Sequence, residues 1–132
     1  MLKGLNHITI AVSDLAKSFD FYVSTLGMKP EVKWDSGAYL SVDELWVCLS
    51  VDNVSPAKDY SHISLSVDQS DFNTYCSRLL SAGVETWKEN SSEGESFYFL
   101  DPDGHKLEIH VGSLSCRLQE LKTKPYKELE WF

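Results

Sequence analysis

The stretch Asn6–Val12, which reads NHITIAV, matches a later stretch, Ser61–Val67, which reads SHISLSV. Apolar and polar residues alternate in both, and a histidine occupies the second position of each. Strict alternation of this kind is typical of a β-strand with one buried face. The two stretches therefore predict that the chain contains two copies of one structural unit.

Each predicted strand is followed by an amphipathic helix. The first helix has its apolar stripe at Leu15, Phe19, Tyr22, Val23 and Leu26, with Ser13 or Asp14 as the cap and Gly27 at the end. The second has its stripe at Phe72, Cys76, Leu79 and Leu80, with Ser70 as the cap and Gly83 at the end. Glycine favours helix ends because it adopts the left-handed conformation found there.

Three short strands are expected after each helix, near residues 30–34, 38–42 and 45–50 and near 84–88, 96–100 and 106–111. Residues 51–59 read as a linker, and a last helix runs from Ser113 to about Lys122. The order βαβββ, repeated, predicts an α+β fold of paired modules that form cupped mixed sheets. We expect one domain over 1–132, with modules at about 1–52 and 59–112 and a C-terminal helix and tail at 113–132.

Composition narrows the possible partners. The 132 residues carry a net charge of −8, which argues against a nucleic acid or an anionic membrane surface as partner. No apolar run approaches the length of a membrane span, and the first residues make a poor signal peptide. Three cysteines without a paired spacing predict reduced thiols and a cytoplasmic protein.

The repeated histidines point to a metal site. Residues two apart in a strand share a face, so His7 and His62 should face away from the helices, as should Glu108 and His110 of the last strand. Three ligands, His7, His62 and Glu108, leave coordination positions open, which is typical of a catalytic metal. The donor set suits Mn, Fe, Co, Ni or Zn equally. His110 would orient a ligand or replace one of the three, whereas His105 should be exposed.

The symmetry of the repeat is expected to break at one position. Aligning Leu45–Leu49 with Leu107–Val111 puts Trp46 where the second module has Glu108. The first module would thus lose a carboxylate and gain an aromatic wall.

A polar loop precedes the last hairpin, between Lys88 and Tyr98. Its carbonyls and hydroxyls suit a monovalent cation or an oxyanion, although a solvated surface loop has the same composition. Lys88 and Arg117 would bind a phosphate or phosphonate if both reach the cleft, and would otherwise be ordinary surface cations.

Four stretches identify a family resemblance: Gly4–Thr9, Trp34–Leu40, Leu45–Ser50 and Asn90–Glu108. Together they make the chain similar, from Leu5 to about Phe132, to the vicinal-oxygen-chelate, or glyoxalase-like, superfamily. Within it, the chain most resembles the fosfomycin-resistance glutathione transferases.

The resemblance implies a module-exchanged homodimer that adds glutathione to the epoxide of fosfomycin, with Mn(II) as the metal and potassium as activator. His7 of one chain would join His62 and Glu108 of the other. The implied substrate pocket consists of Lys88, Ser92, Ser96, Tyr98 and Arg117, lined by Tyr60 and Trp46. Potassium would lie among Asn90, Ser92, Gly94 and Ser96. Thr9 and Tyr39 would be catalytic, and Trp34 and Tyr39 would lie toward the glutathione channel.

Three other functions remain open on the same fold. Resistance enzymes that use bacillithiol carry Cys at the position of Thr9, and those that hydrolyse the epoxide carry a Glu base near the position of Tyr39. A non-catalytic drug-binding protein would bind its ligand without a metal.

Overall fold

A computed structural model describes all 132 residues and contains the two predicted βαβββ units. The first unit comprises β1 (His7–Val12), α1 (Leu15–Asp20), a π-helical turn (Phe21–Thr25), β2 (Lys29–Trp34), β3 (Gly37–Val42) and β4 (Leu45–Val51). The second comprises β5 (Ile63–Ser66), α2 (Gln69–Ser81), β6 (Thr86–Lys88), β7 (Ser96–Leu100) and β8 (Lys106–His110). A final helix, α3, spans Leu114–Thr123. The α+β expectation is confirmed.

Each unit forms its own four-stranded mixed sheet. The strand orders are β1-β4-β3-β2 and β5-β8-β7-β6, and the first strand of each unit pairs in parallel with the last strand of that unit. The remaining pairs are antiparallel. The helix supplies the crossover that a parallel pair requires.

Alternation along the strands sorts the residues into a packed face and an open face. In β1, Ile10 and Val12 are buried, whereas His7 and Thr9 are exposed. Fifteen buried apolar residues from both units form one core, in which Phe21 lies 6.4 Å from Phe99 between ring centroids. The helix-covered faces of the two sheets therefore share a core, and the opposite faces carry the predicted site residues.

Of the two caps expected for the first helix, the structure selects Asp14, and the helices differ from expectation in two other details. Asp14 caps α1 by accepting a hydrogen bond from Lys17 N at 3.1 Å, so Ser13 is not the cap. The stretch after Asp20 widens into a π-helical turn before Gly27. Helix α2 starts at Gln69 after Asp68, so the predicted cap at Ser70 was wrong. An acidic residue ahead of the first turn suits the positive end of the helix dipole, and several polar residues in this stretch were equally good candidates.

The turn between β7 and β8 joins the two units. The hydroxyl of Tyr22, which is fully buried, donates to the Asp101 carboxylate at 2.7 Å, and Asp103 accepts from the backbone N of Ser13. His105 contacts the carbonyl oxygen of Ala11 at 2.8 Å, so the expectation of an exposed His105 was wrong. Burial, reinforced by the Asp101 charge, raises the pKa of Tyr22 well above its ordinary value.

The register of the two sheets corrects the predicted alignment of Trp46 with Glu108. Thr9 is opposite Cys48 in the first sheet, and Ser64 is opposite Glu108 in the second. Cys48 is thus the structural counterpart of Glu108. A shift of two residues leaves every side chain on the same face, so alternation alone does not distinguish the two alignments.

The connection between the units runs from the end of β4 to Ile63, so Tyr60 and His62 lie just before a strand and not within one. None of the three helices has the length and apolar character needed to cross a membrane.

Candidate metal and anion site

The ends of β5, β7 and β8 bring the polar side chains of the second sheet together. Ser64 and Tyr98 are the two cross-strand neighbours of Glu108, and Ser96 is the neighbour of His110. Because side chains at paired positions lie on the same face, these residues point away from the core in one group. The Glu108 side chain is nevertheless only 9% exposed to solvent, because its neighbours cover it.

His62 and Glu108 approach each other in a way that suits a shared cation. His62 Nε2 lies 3.0 Å from Glu108 Oε2, and His62 Nδ1 lies 2.8 Å from the carbonyl oxygen of Tyr60. A carbonyl only accepts, so Nδ1 carries the proton and the Nε2 lone pair of a neutral ring faces the carboxylate. Two acceptors in this position need a proton or a bound cation, and a transition-metal ion fits both donor atoms.

A second layer of hydrogen bonds holds the carboxylate. Ser96 Oγ donates to Glu108 Oε1 at 2.6 Å, and its oxygen lies 2.6 Å from His110 Nδ1. The single hydroxyl proton goes to the carboxylate, so His110 Nδ1 is the donor to Ser96. His110 thereby orients Glu108 through Ser96, and the interpretation of His110 as an outer-layer residue fits this geometry.

A cavity of about 400 Å³ opens over these groups. Its wall consists of ten residues of the second unit and the C-terminal segment: Tyr60, His62, Ser64, Lys88, Ser92, Tyr98, Glu108, His110, Arg117 and Tyr126. A larger cavity of about 740 Å³ lies at α1 and the 101–104 turn and contains none of the predicted site residues. The smaller cavity is the candidate site, because the chemistry converges there.

Two cations line this cavity in a protein that is acidic overall. Lys88 Nζ donates to the Tyr60 hydroxyl and lies 4.7 Å from the Tyr60 ring centroid and 4.9 Å from that of Tyr98. The hydrogen bond to Tyr60 raises the pKa of Lys88, so the ammonium stays charged at neutral pH. Arg117 donates hydrogen bonds to Glu93 and Tyr126. These bonds also raise the pKa of Arg117, and the bond to Tyr126 has the largest effect.

The polar loop is closed by its own side chains. Asn90 Nδ2 donates to the Gly94 carbonyl at 2.7 Å, and Asn90 Oδ1 accepts from both the backbone N and the hydroxyl of Ser92 at 3.1 Å. Gly94 has φ +78°, and a Cβ there would lie 2.5 Å from the Val111 carbonyl oxygen, so only glycine fits. Asn90, Ser92 and Gly94 therefore lie together, whereas the hydroxyl of Ser96 turns to Glu108.

The open face of the first sheet carries an aromatic row. The His7 ring lies 4.4 Å from Trp46, Trp46 lies 5.1 Å from Tyr39, and Tyr39 lies 4.9 Å from Trp34, all between ring centroids. His7 Nδ1 contacts the Asn6 side-chain oxygen at 2.7 Å. If that oxygen accepts, the Nε2 lone pair of His7 is free, as it is in His62.

The single chain does not bring all three predicted ligands together. No group of three His, Cys, Asp or Glu side chains in one chain is arranged to hold a metal. His7 and Thr9 are exposed on the first sheet, and the cavity that contains Glu108 has no residue from that sheet. The open faces of the two sheets therefore lie apart within one chain, because the shared core turns them away from each other.

Three residues of the site were missed from the sequence. Trp87 lies 5.2 Å from both His62 and Tyr98 between ring centroids, and its Nε1 donates to the Leu107 carbonyl at 3.0 Å. Glu93 and Tyr126 flank Arg117. Trp87 precedes Lys88, which was a usable signal, but no periodicity links Glu93 or Tyr126 to the cavity.

Comparison with known proteins gives consistent matches over nearly the whole chain. The family model described as Glyoxalase/Bleomycin resistance protein/Dioxygenase superfamily matches residues 4–109. Glutathione transferase FosA of Serratia marcescens is 53% identical over 131 residues, covering 96% of this chain and 93% of that protein. Metallothiol transferase FosB of Shouchella clausii is 35% identical over 134 residues, covering 95% of this chain and 92% of that protein.

A solved structure has the same fold. The fosfomycin resistance protein FosX from Listeria monocytogenes, complexed with Mn(II) and sulfate ion, superposes with a TM-score of 0.83 at 30% identity. The match covers 91% of this chain and 98% of that one. The chain belongs to the glyoxalase/bleomycin resistance protein/dioxygenase superfamily.

Proposed function

We propose that this protein is a metal-dependent transferase that adds glutathione to the epoxide of fosfomycin and thereby inactivates the antibiotic. The observation that carries the proposal is the cavity in which His62 Nε2 faces Glu108, with Lys88 and Arg117 in the same wall. A divalent cation and an anionic substrate suit adjacent parts of this wall. The similarity to a glutathione transferase at 53% identity supports glutathione as the thiol.

His62 and Glu108 would supply two ligands, and His7 of the partner subunit would supply the third. This assembly requires a homodimer in which the first sheet of one chain covers the second sheet of the other. The exposed aromatic row around His7 supports such a dimer, since it leaves Trp34, Tyr39 and Trp46 about 37–39% exposed in one chain. Nitrogen and oxygen ligands suit Mn(II), the ion in the related FosX complex.

Lys88 and Arg117 would bind the phosphonate of fosfomycin, with the hydroxyls of Ser92 and Tyr98 as further donors. The positive groups are needed because the protein carries a net charge of −8, which otherwise repels an anion. Tyr60 holds Lys88 in the cavity wall. Ser96 belongs to the same expected pocket, and its hydroxyl, which donates to Glu108, would orient that ligand there.

The first sheet of the partner subunit would complete the site with Thr9, Tyr39, Trp46 and Trp34. Trp46 would line the substrate pocket, and Trp34 and Tyr39 would border the glutathione channel. When bound, the metal ion acts as a Lewis acid that stabilises negative charge on the epoxide oxygen. Thr9 would donate a hydrogen bond to that oxygen, and the Tyr39 hydroxyl would donate one to the sulfur of glutathione, which favours the thiolate that attacks the epoxide. A C–S bond forms, a C–O bond breaks, and the proton finally resides on the new hydroxyl.

Potassium would bind at the polar loop, among Asn90, Ser92, Gly94 and Ser96. The compact arrangement of Asn90, Ser92 and Gly94 supports this, since oxygen atoms of three residues lie within one short loop. Glutathione is the thiol of reducing compartments, and the three cysteines are free, which supports the cytoplasm as the location.

Hydrolysis of the epoxide is the second candidate, because the related FosX proteins share the fold at 29–30% identity. Tyr39 stands where a Glu base is expected in the hydrolases, and Thr9 stands where Cys is expected in bacillithiol-using enzymes. Both positions favour glutathione. A non-catalytic drug-binding protein would have no use for the metal-ligand geometry of His62 and Glu108.

The test is to incubate the purified protein with fosfomycin, with and without glutathione, Mn(II) and potassium. We expect fosfomycin to be consumed only with glutathione, with loss of activity in chelator, restoration by Mn(II) and stimulation by potassium. Consumption without any thiol would support the hydrolase, and a glutathione-dependent activity unchanged by excess chelator would contradict the metal site.

A further inference from the structure

We propose that Tyr126, in the C-terminal segment, is a positioning residue that holds the Arg117 guanidinium in the orientation required to bind the oxyanion of the substrate. This inference rests on the proposed function for the identity of the substrate, but oxyanion binding is testable without turnover.

Three hydrogen bonds hold the guanidinium of Arg117. Its Nε donates to Glu93 Oε2 at 3.4 Å, its Nη2 donates to the Glu93 carbonyl at 3.3 Å, and its Nη1 donates to the Tyr126 hydroxyl at 3.4 Å. A guanidinium has five N–H groups in one plane, so two remain, one on each terminal nitrogen. These two N–H groups form the fork that matches a phosphate or phosphonate.

The two hydrogen-bond partners of Arg117 differ in charge. Glu93 lies on one side of the guanidinium, and its carboxylate competes with any substrate anion for the same positive charge. Tyr126 contacts the opposite terminal nitrogen through a phenol hydroxyl and not a carboxylate. Its hydroxyl therefore orients the guanidinium without cancelling the charge that the substrate needs.

A turn in the segment after helix α3 places Tyr126. Helix α3 ends at Thr123, Pro125 follows, and Leu129 N bonds to the Tyr126 carbonyl at 3.2 Å to form a turn. This turn brings Tyr126 into the cavity wall with Arg117 and Lys88. Trp131 and Phe132, the last aromatic residues of the tail, are exposed and are not part of that wall.

Tyr126→Phe tests the proposal, with Tyr75→Phe as the matched control. The control also removes one hydroxyl, which donates to the Leu26 carbonyl at 3.2 Å away from the cavity. We expect Tyr126→Phe to raise the KM for fosfomycin about three- to tenfold, the range for one lost hydrogen bond of ordinary strength, with kcat changed less than twofold. Tyr75→Phe should leave both constants unchanged.

A double-mutant cycle separates positioning from a structural role. In an Arg117→Ala background, Tyr126→Phe should have no further effect on the KM, because the group that it orients is gone. If the two substitutions multiply in the KM, or if Tyr126→Phe alone leaves the KM unchanged, the proposal is overturned.

Calorimetric titration with inorganic phosphate provides the readout that does not need turnover. We expect Tyr126→Phe to weaken phosphate binding by a similar factor, and the Tyr75→Phe control to retain it. If this holds while no variant consumes fosfomycin, the proposed function fails and the role of Tyr126 stands. Phosphate affinity equal to that of the unmodified protein would overturn the role of Tyr126.

Discussion

The open faces of the two sheets share the same strand order and pairing but carry different side chains. At matched positions, the first sheet has Thr9, Cys48 and Ser50, and the second has Ser64, Glu108 and His110. Tyr39 of the first sheet corresponds to Tyr98 of the second, since each is paired with the residue at the Cys48 or Glu108 position. At these positions the second sheet carries a carboxylate and an imidazole, where the first carries a thiol and a hydroxyl.

The repeat gives both sheets the same strand order, and the different side chains on their open faces create the candidate site. The second sheet surrounds its carboxylate with His62, Ser96 and two cations, and the first sheet surrounds its histidine with Trp46, Tyr39 and Trp34. Neither face alone has three metal ligands. In the proposed homodimer, each face would be completed by the unlike face of the other copy.

The largest expected effect comes from mixing two inactive variants. His7→Ala and Glu108→Ala should each lower kcat/KM about a thousandfold or more, because the Lewis acid contributes several kcal/mol and 1.36 kcal/mol is tenfold. If His7 acts in the partner subunit, a heterodimer of the two variants has one intact site and one doubly defective site. We expect it to recover about half of the unmodified activity.

Co-expression with two different affinity tags isolates that heterodimer, and the thiol-dependent loss of fosfomycin measures it. His7 acting within its own chain predicts no recovery. The control is a heterodimer of His62→Ala and Glu108→Ala, which leaves one defect in each site and should stay inactive.

A smaller effect is expected on the aromatic face. Trp46→Leu should lower kcat/KM for fosfomycin about fivefold, because an aromatic contact contributes about 1 kcal/mol beyond its area. Mn(II) affinity should not change, whereas His62→Ala should weaken it. Steady-state kinetics and a Mn(II) titration separate the two faces, and Val32→Ala on an edge strand of the same sheet is the control. Equal losses of metal binding in Trp46→Leu and His62→Ala would contradict the proposal that the second sheet binds the metal while Trp46 contacts the substrate.

A separate prediction concerns stability, through the contact between Tyr22 and the turn that joins the two units. Tyr22→Phe should lower the free energy of unfolding by about 2 kcal/mol at pH 8, because the buried Asp101 loses a donor. The pKa of Tyr22 is raised in the folded state, so its contribution is complete below pH 10 and is lost as the pH rises toward the folded value. The difference between the two proteins should therefore shrink at pH 10.5.

Urea unfolding at a fixed protein concentration measures that difference, with Tyr75→Phe as a control that has an intermediate exposure. A difference that is constant between pH 8 and pH 10.5 would show that ionisation of Tyr22 does not contribute to stability.

The sequence predicted much of the site because strand periodicity reports which face a residue occupies. His62 and Glu108 follow directly from alternation, and their contact at 3.0 Å agrees with it. Periodicity does not determine which residues of two strands are paired. For that reason the sequence aligned Trp46 with Glu108, whereas the structure aligns Cys48 with Glu108. Periodicity also fails for residues outside regular elements, such as Glu93 and Tyr126, whose positions depend on a loop and a turn.

What the sequence determined by itself was the repeat, the order of its elements and the face on which each histidine lies, since these depend on local alternation and on the distribution of apolar residues. Only the tertiary structure decided how the faces are disposed. The apolar faces of both sheets are buried against each other, because one shared core removes more surface from water than two separate ones. That packing turns the face of His7 away from Glu108, so the third ligand of the proposed site would come from another copy of the chain.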